Sequence, residues 1–198
     1  MSFDPQAQEA ALLDQADQVL ARALALGADQ AEVSLSRGQE FSCTYRGETL
    51  DKLEEAGTAG MGVRLFVGGR VVGGSSSDLR PAIIDSLLSD LLEAAPHVDV
   101  DEHNTLAPAS DLDGVAREMG IFDPATAGEQ APERLARALG AERASRGFDA
   151  RITATDGATF GAAYSTAVTA ASNGLRRVVT GGWQSLVADA ICDDADGK

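Results

Sequence analysis

The chain has 198 residues, 44% of them apolar, and a formal net charge of −15. That length suits one substantial domain or one and a half small ones. The negative field repels phosphate backbones and argues against a nucleic-acid partner, while fitting an ordinary soluble protein. The start, MSFDPQAQEA, lacks the basic segment and apolar run of a signal peptide, and no uninterrupted apolar stretch spans a bilayer. The expectation is a cytoplasmic protein with no membrane partner.

Residues 6–26 read as a helix. Leu12, Ala16, Val19, Ala23 and Leu26 recur at four and three, Leu13 and Leu20 widen the stripe, and Gly27 is a natural stop. Residues 31–36 alternate as a half-buried strand, residues 39–45 alternate again, and Arg46-Gly47 makes a turn. Cys43 alternates with Phe41 and Tyr45 as a small buried side chain would. It and Cys192, neither in a CxxC, read as reduced core thiols rather than a disulfide framework. The piece TLDKLEEAG reads as a strand ending in a charged edge.

The organising stretch is residues 60–92. Met61, Val63, Leu65 and Val67 alternate along a strand, Gly68-Gly69 turns it, and Arg70-Val71-Val72 runs back. Ser75-Ser76-Ser77-Asp78 offers caps to a following helix, with Pro81 in its first turn and a stripe of Ile83, Ile84, Leu87, Leu88, Leu91 and Leu92. Residues 95–128, with Pro96, Pro108 and Pro124, read as a long connection over the surface, with a turn of helix near 112–119. Residues 130–146 form a further helix with Leu135, Ala138 and Leu139 on one side. Beyond it, Asp156-Gly157, Asn173-Gly174 and the weaker Gly181-Gly182 punctuate Thr-, Val- and Ala-rich segments as a meander of about four strands. The fold class is α+β: a twisted, mainly antiparallel or mixed sheet flanked by helices, followed by a β-meander. The expected division is an α+β part at 1–95, a connection at 96–129, and a helix plus meander at 130–198.

No catalytic, cofactor-binding or metal-binding residue is assigned. His97 and His103 sit in HVDVDEH, six apart with no helical pattern, and Asp99, Asp101 and Glu102 make this a solvated acidic loop. The tail DDADG has the wrong register for a calcium loop, since Cys192 would hold the first ligand position. The glycines match neither a phosphate loop nor a dinucleotide fingerprint, and the serines at 75–77 have no base beside them in sequence.

The ordered series GADQAEVS, KLEEAGTAGMGVRLFVGGRVVGGSSSDL, DARITATDGATF and ASNGL resembles the TldD/PmbA metallopeptidase family, in particular the amino-terminal part of PmbA (TldE)-type members. The likeness runs from about Ala28 to Gly197. It implies cytoplasmic, dimeric proteins of roughly twice this length, also labelled modulators of DNA gyrase through an indirect effect. In that family the TldD type binds metal through an HExxxH motif in its later half and cleaves unfolded or extended peptides. The PmbA type lacks those ligands and pairs with TldD. This chain contains no HExxxH, stops where family members continue, carries Arg80 where many relatives have a small capping residue, and lacks the usual Asp-Pro-Tyr-type sequence in its HVDVDEH loop.

The resemblance thus implies a PmbA/TldE-type subunit portion, inactive alone, in a homo- or heterodimer with a TldD/PmbA-type partner. It would supply dimerisation and peptide-cavity surface, with zinc expected only in the partner. The alternative is a free-standing interaction or regulatory module without proteolytic role, motivated by the acidic surface and long loop. A third reading is a gene fragment whose apolar strand at 183–192 would pair artificially.

Overall fold

Helix α1 (Pro5–Ala25) begins where the Asp4 carboxylate accepts the Ala7 N–H at 3.1 Å and Pro5 takes the first helical position. It buries Leu12, Ala16, Val19, Leu20 and Ala23, the stripe its spacing predicts. In this computed structural model, which describes residues 3–112 and 119–193, the other elements follow in order. They are β1 (Gln30–Arg46), β2 (Thr49–Val67), β3 (Arg70–Ser76), α2 (Pro81–Ala94), α3 (Pro124–Ala127), α4 (Ala131–Arg146), β4 (Ile152–Ala171) and β5 (Arg176–Cys192). The five strands form one antiparallel sheet in the order β3-β2-β1-β4-β5, so strands from both sides of the long connection share it.

All the helices lie on one face of this sheet. The face is set by the period of two: Ala31, Val33, Leu35, Phe41 and Cys43 of β1 keep one phase, and Phe160, Ala162, Tyr164, Val168 and Ala170 of β4 match it through the register Leu35↔Val168 and Phe41↔Ala162. At one end α1 and α2 cover Val33, Leu35, Val63, Leu65 and Val168. At the other, α3 and α4 cover Phe41, Cys43, Phe160 and Tyr164, where Phe3 also packs. Each fully buried leucine or phenylalanine here is worth about 2 kcal/mol of burial.

Several strands are longer than the local pattern suggests. Residues 31–36 and 39–45 belong to one strand, and TLDKLEEAG does not end at a charged edge but runs on into Met61–Val67 as β2. Backbone pairing to both neighbours carries β1 through the break in alternation at Arg37-Gly38. The turn after β1 is Gly47-Glu48, both at positive φ, rather than Arg46-Gly47. The Gly68-Gly69 hairpin stands as expected, with φ of 55° and 75°.

The second half contains two strands, not about four. Asn173-Gly174 turns the chain between them, but the other two signals do not. Asp156-Gly157 is a bulge inside β4, where the register against β5 shifts, and Gly157 has φ 105°. Its α-carbon passes so near the Tyr45 carbonyl that a β-carbon would sit 2.6 Å from that oxygen. Gly181-Gly182 runs straight through β5, because a side chain at 182 would strike the Tyr164 ring.

The serine run does not cap α2. Ser76 Oγ accepts the Asp78 N–H at 3.0 Å, and Asp78 accepts the Arg80 N–H at 3.0 Å, so these oxygens brace the approach and stop short of the helical amides. The Arg80 side chain hydrogen-bonded to Asp78 holds that carboxyl below the usual carboxylate range. The helical turn expected near 112–119 lies largely outside the described residues, where a short 3₁₀ turn ends at Leu112. Cys43 is a buried thiol as expected, but Cys192 is exposed at the end of β5, the edge strand of the sheet.

Two outcomes follow. Gly157→Ala lowers stability by about 3 kcal/mol, because it adds backbone strain to a clash with a carbonyl, whereas Gly62→Ala, with open space around it, changes it little; thermal melts followed by circular dichroism compare them. Burial pushes the Cys43 thiol up from its ordinary value, against a smaller opposing effect of a Phe160 backbone hydrogen bond. Mild alkylation therefore labels Cys192 well before Cys43. Because the unfolded chain loses the Cys43 proton first, this group's contribution to stability falls as pH rises from the ordinary thiol value to the raised one. Mass spectrometry after timed iodoacetamide treatment, alone and in denaturant, reads the order.

Candidate functional site

Among the described residues, the sheet's second face carries no helix. It is built from the other phase of each strand, and the registers align its side chains in rows across four strands. One row runs Trp183–Ala163–Glu40–Ala56, and the next runs Ser185–Gly161–Ser42–Glu54. Ala163, Gly161, Ser42 and Ala56 keep this floor low, and Trp183, Glu40 and Glu54 stand up from it. A groove of about 700 Å³ lies there, walled by Glu54 on β2 and by Trp183 and Ser185 on β5. A second hollow of about 450 Å³ shares Glu40 and Trp183 with it and reaches Thr58 and Gly181. The Trp183 ring lies over Gly161, whose missing side chain makes room for it, and the residue remains 57% exposed.

The same half of the sheet has bare edges. β3 pairs with β2 from Met61 to Val67, so residues 49–60 have no outer strand neighbour among the described residues, and residues 49–59 are all exposed. β5 is the opposite edge. Gly182 N–H donates to the Ile121 carbonyl at 2.9 Å, but from Ser185 onward no described residue pairs along its outer side. Val187 and Ile191 are exposed there, as the apolar strand at 183–192 suggested.

The long connection is a strap held to the sheet rather than a free loop. Asp101 N–H donates to the Gly69 carbonyl at 2.8 Å, Leu106 N–H to Gln30 Oε1 at 2.9 Å, and Asn173 Nδ2 to the Ala107 carbonyl at 2.9 Å. His97 closes a short 3₁₀ turn and His103 lies exposed with Nε2 3.9 Å from Glu102. Among the described residues no three His, Cys, Asp or Glu side chains gather as metal ligands. The DDADG tail lies outside the described residues after Asp193. No helix among the described residues is long and apolar enough to cross a membrane.

One buried carboxylate stands out. Glu142 of α4 is fully buried, and its Oε1 accepts from Gly47 N–H at 3.1 Å and Thr155 Oγ at 3.0 Å. It ties the helix to the β1–β2 turn and to the bulged start of β4. Sequence reasoning passed over it, since a glutamate on a polar helix gives no sign of burial. It passed over the Trp183–Glu40 row too, because a row across strands exists only once the register is known.

Known proteins resemble this chain in sequence and in fold. Residues 31–95 match PmbA/TldA metallopeptidase domain 1. Over 167 residues the chain is 28% identical to the metalloprotease PmbA of Escherichia coli O157:H7, covering 84% of this chain and 36% of that protein. A modulator-of-DNA-gyrase protein from Bacteroides thetaiotaomicron VPI-5482 superposes with TM-score 0.80 at 22% identity, over 93% of this chain and 42% of that one. TldE from Thermococcus kodakarensis does so with TM-score 0.67 at 12% identity, over 91% of this chain and 40% of that one. The fold is that of PmbA/TldD-type proteins. The chain resembles the amino-terminal part of PmbA/TldE-type proteins, and it spans about a third of the length of the curated relative it matches.

A measurement checks the site's main structural device. Glu142→Ala removes the acceptor for Gly47 N–H and Thr155 and costs about 2 kcal/mol. Glu142→Gln keeps an acceptor oxygen and costs less, and urea denaturation of the two variants separates them.

Proposed function

We propose that this chain works as the non-catalytic, PmbA/TldE-type portion of a cytoplasmic two-subunit metalloprotease assembly, lending dimerisation surface and a peptide-cavity wall. The observation that carries this is the half-sheet beyond β3. Among the described residues it has a face without a helix, two unpaired edge segments and a floor largely of small residues. Unpaired strand edges capture extended chains through backbone hydrogen bonds, and the same edges join subunits into continuous sheets. Unfolded or extended peptides are therefore the substrate class, with no nucleic acid involved, as the net charge of −15 supports.

The metal belongs to the partner. His97 and His103 offer no third ligand among the described residues, and a lone exposed imidazole does not hold zinc. No step of amide cleavage is assigned to this chain.

Mixed with a TldD-type subunit, the chain forms a stable complex by light scattering, and zinc-dependent hydrolysis of an unfolded peptide appears only in the mixture. Hydrolysis by this chain alone with zinc contradicts the non-catalytic role. A lasting monomer that ignores the TldD-type subunit points instead to a free-standing interaction module.

A further inference from the structure

We infer that the open face selects basic extended peptides, holding a lysine or arginine side chain across Trp183 with its cation at Glu40. This rests on the peptide-binding role proposed above and specifies which peptides that role concerns. The basic side chain lies on the open face of the same half-sheet, across the strands, inside the cavity wall proposed above.

The geometry comes from one row. Trp183 and Glu40 are two strands apart with only Ala163 between them, so their α-carbons stand about 10 Å from each other. A long basic side chain spans that gap, its methylenes against the indole and its charge reaching the carboxylate. An exposed indole attracts cations through its negative ring face. Trp183 offers such a face, since its ring rests on Gly161 and stays open to water on the other side.

The charge points the same way. The residues lining the larger groove include Glu40 and Glu54, which share the open-face phase, and no lysine or arginine. Glu54 is engaged by Lys52 at 3.0 Å, while exposed Glu40 forms no ion pair among the described residues. Arg37, which borders the neighbouring hollow, faces the helix side and donates to Gln15 Oε1 at 3.4 Å. An acidic peptide would meet like charge there, and a neutral one would leave Glu40 unanswered.

Trp183 is the chain's single tryptophan, so its emission reports on this groove alone. The test titrates the full chain with three unstructured peptides of matched length, alternating serine with lysine, with threonine or with glutamate. The lysine peptide shifts Trp183 emission and binds about tenfold tighter than the glutamate peptide, and the difference shrinks at high salt. Glu40→Gln weakens the lysine peptide about fivefold and leaves the threonine peptide unchanged, while Glu9→Gln, on α1, changes neither. Far-UV circular dichroism confirms that each variant is folded. Equal binding of all three peptides, or lysine binding indifferent to Glu40→Gln, overturns the selectivity while leaving general peptide capture standing. Absence of all peptide binding in a chain that still joins a TldD-type subunit overturns it too and leaves only the assembly role.

Discussion

The pairing of residues 32–45 in β1 with residues 158–171 in β4 joins parts of the chain more than a hundred positions apart. It sets the phase of both strands, so that Leu35 and Val168, Phe41 and Ala162 come down on the same side. From that one register follow the covered face with its two cores and the bare face with its rows of small residues. A slip of one residue would turn Phe160 and Tyr164 out to water and Thr159 and Ser165 into the core, which is why the register is strongly specified. Gly157 and Glu142 guard its far end, one by letting β4 bulge against Tyr45 and the other by clamping the neighbouring turn.

The two ends of the sheet are treated differently. At the first, β3 extends the sheet and α2 covers it, while the strap from residue 98 to 107 ties the hairpin to the β4–β5 turn. At the second, β2 and β5 run on without outer strand neighbours among the described residues, and on the open face between them Ala163, Gly161 and Ser42 are small, with Glu40 standing among them. Folded proteins cover or blunt such edges unless something pairs with them. The acidic groove and the edge strands together suit a surface meant for another chain, and our functional proposals rest on that asymmetry.

Much of the fold was legible because it rests on local repetition. The α1 stripe, the Gly68-Gly69 hairpin, the Asn173-Gly174 turn and the helix of residues 131–146 all carry their signal within a few residues. Strand length was not legible. β1 continues through Arg37-Gly38 because β2 and β4 hold it on both sides, and β2 continues through its glutamates because β1 holds it on one, and no window of sequence contains those neighbours. Asp156-Gly157 and Gly181-Gly182 misled for a related reason. Their glycines answer to Tyr45 and to Tyr164 respectively, and in both cases close approach, not chain reversal, requires the missing side chain. Trp183 looked like one member of an apolar edge until the register placed it in line with Glu40.

The most direct measurement is native-state amide hydrogen exchange across the sheet. The account predicts that the β1 and β4 amides paired with each other exchange only on global unfolding, in both halves of the register. It also predicts that outward amides of residues 49–60, and of β5 beyond Ser185, exchange near solvent rates. Exchange of β4 without β1, or strong protection of those outward amides in the isolated chain, would contradict it.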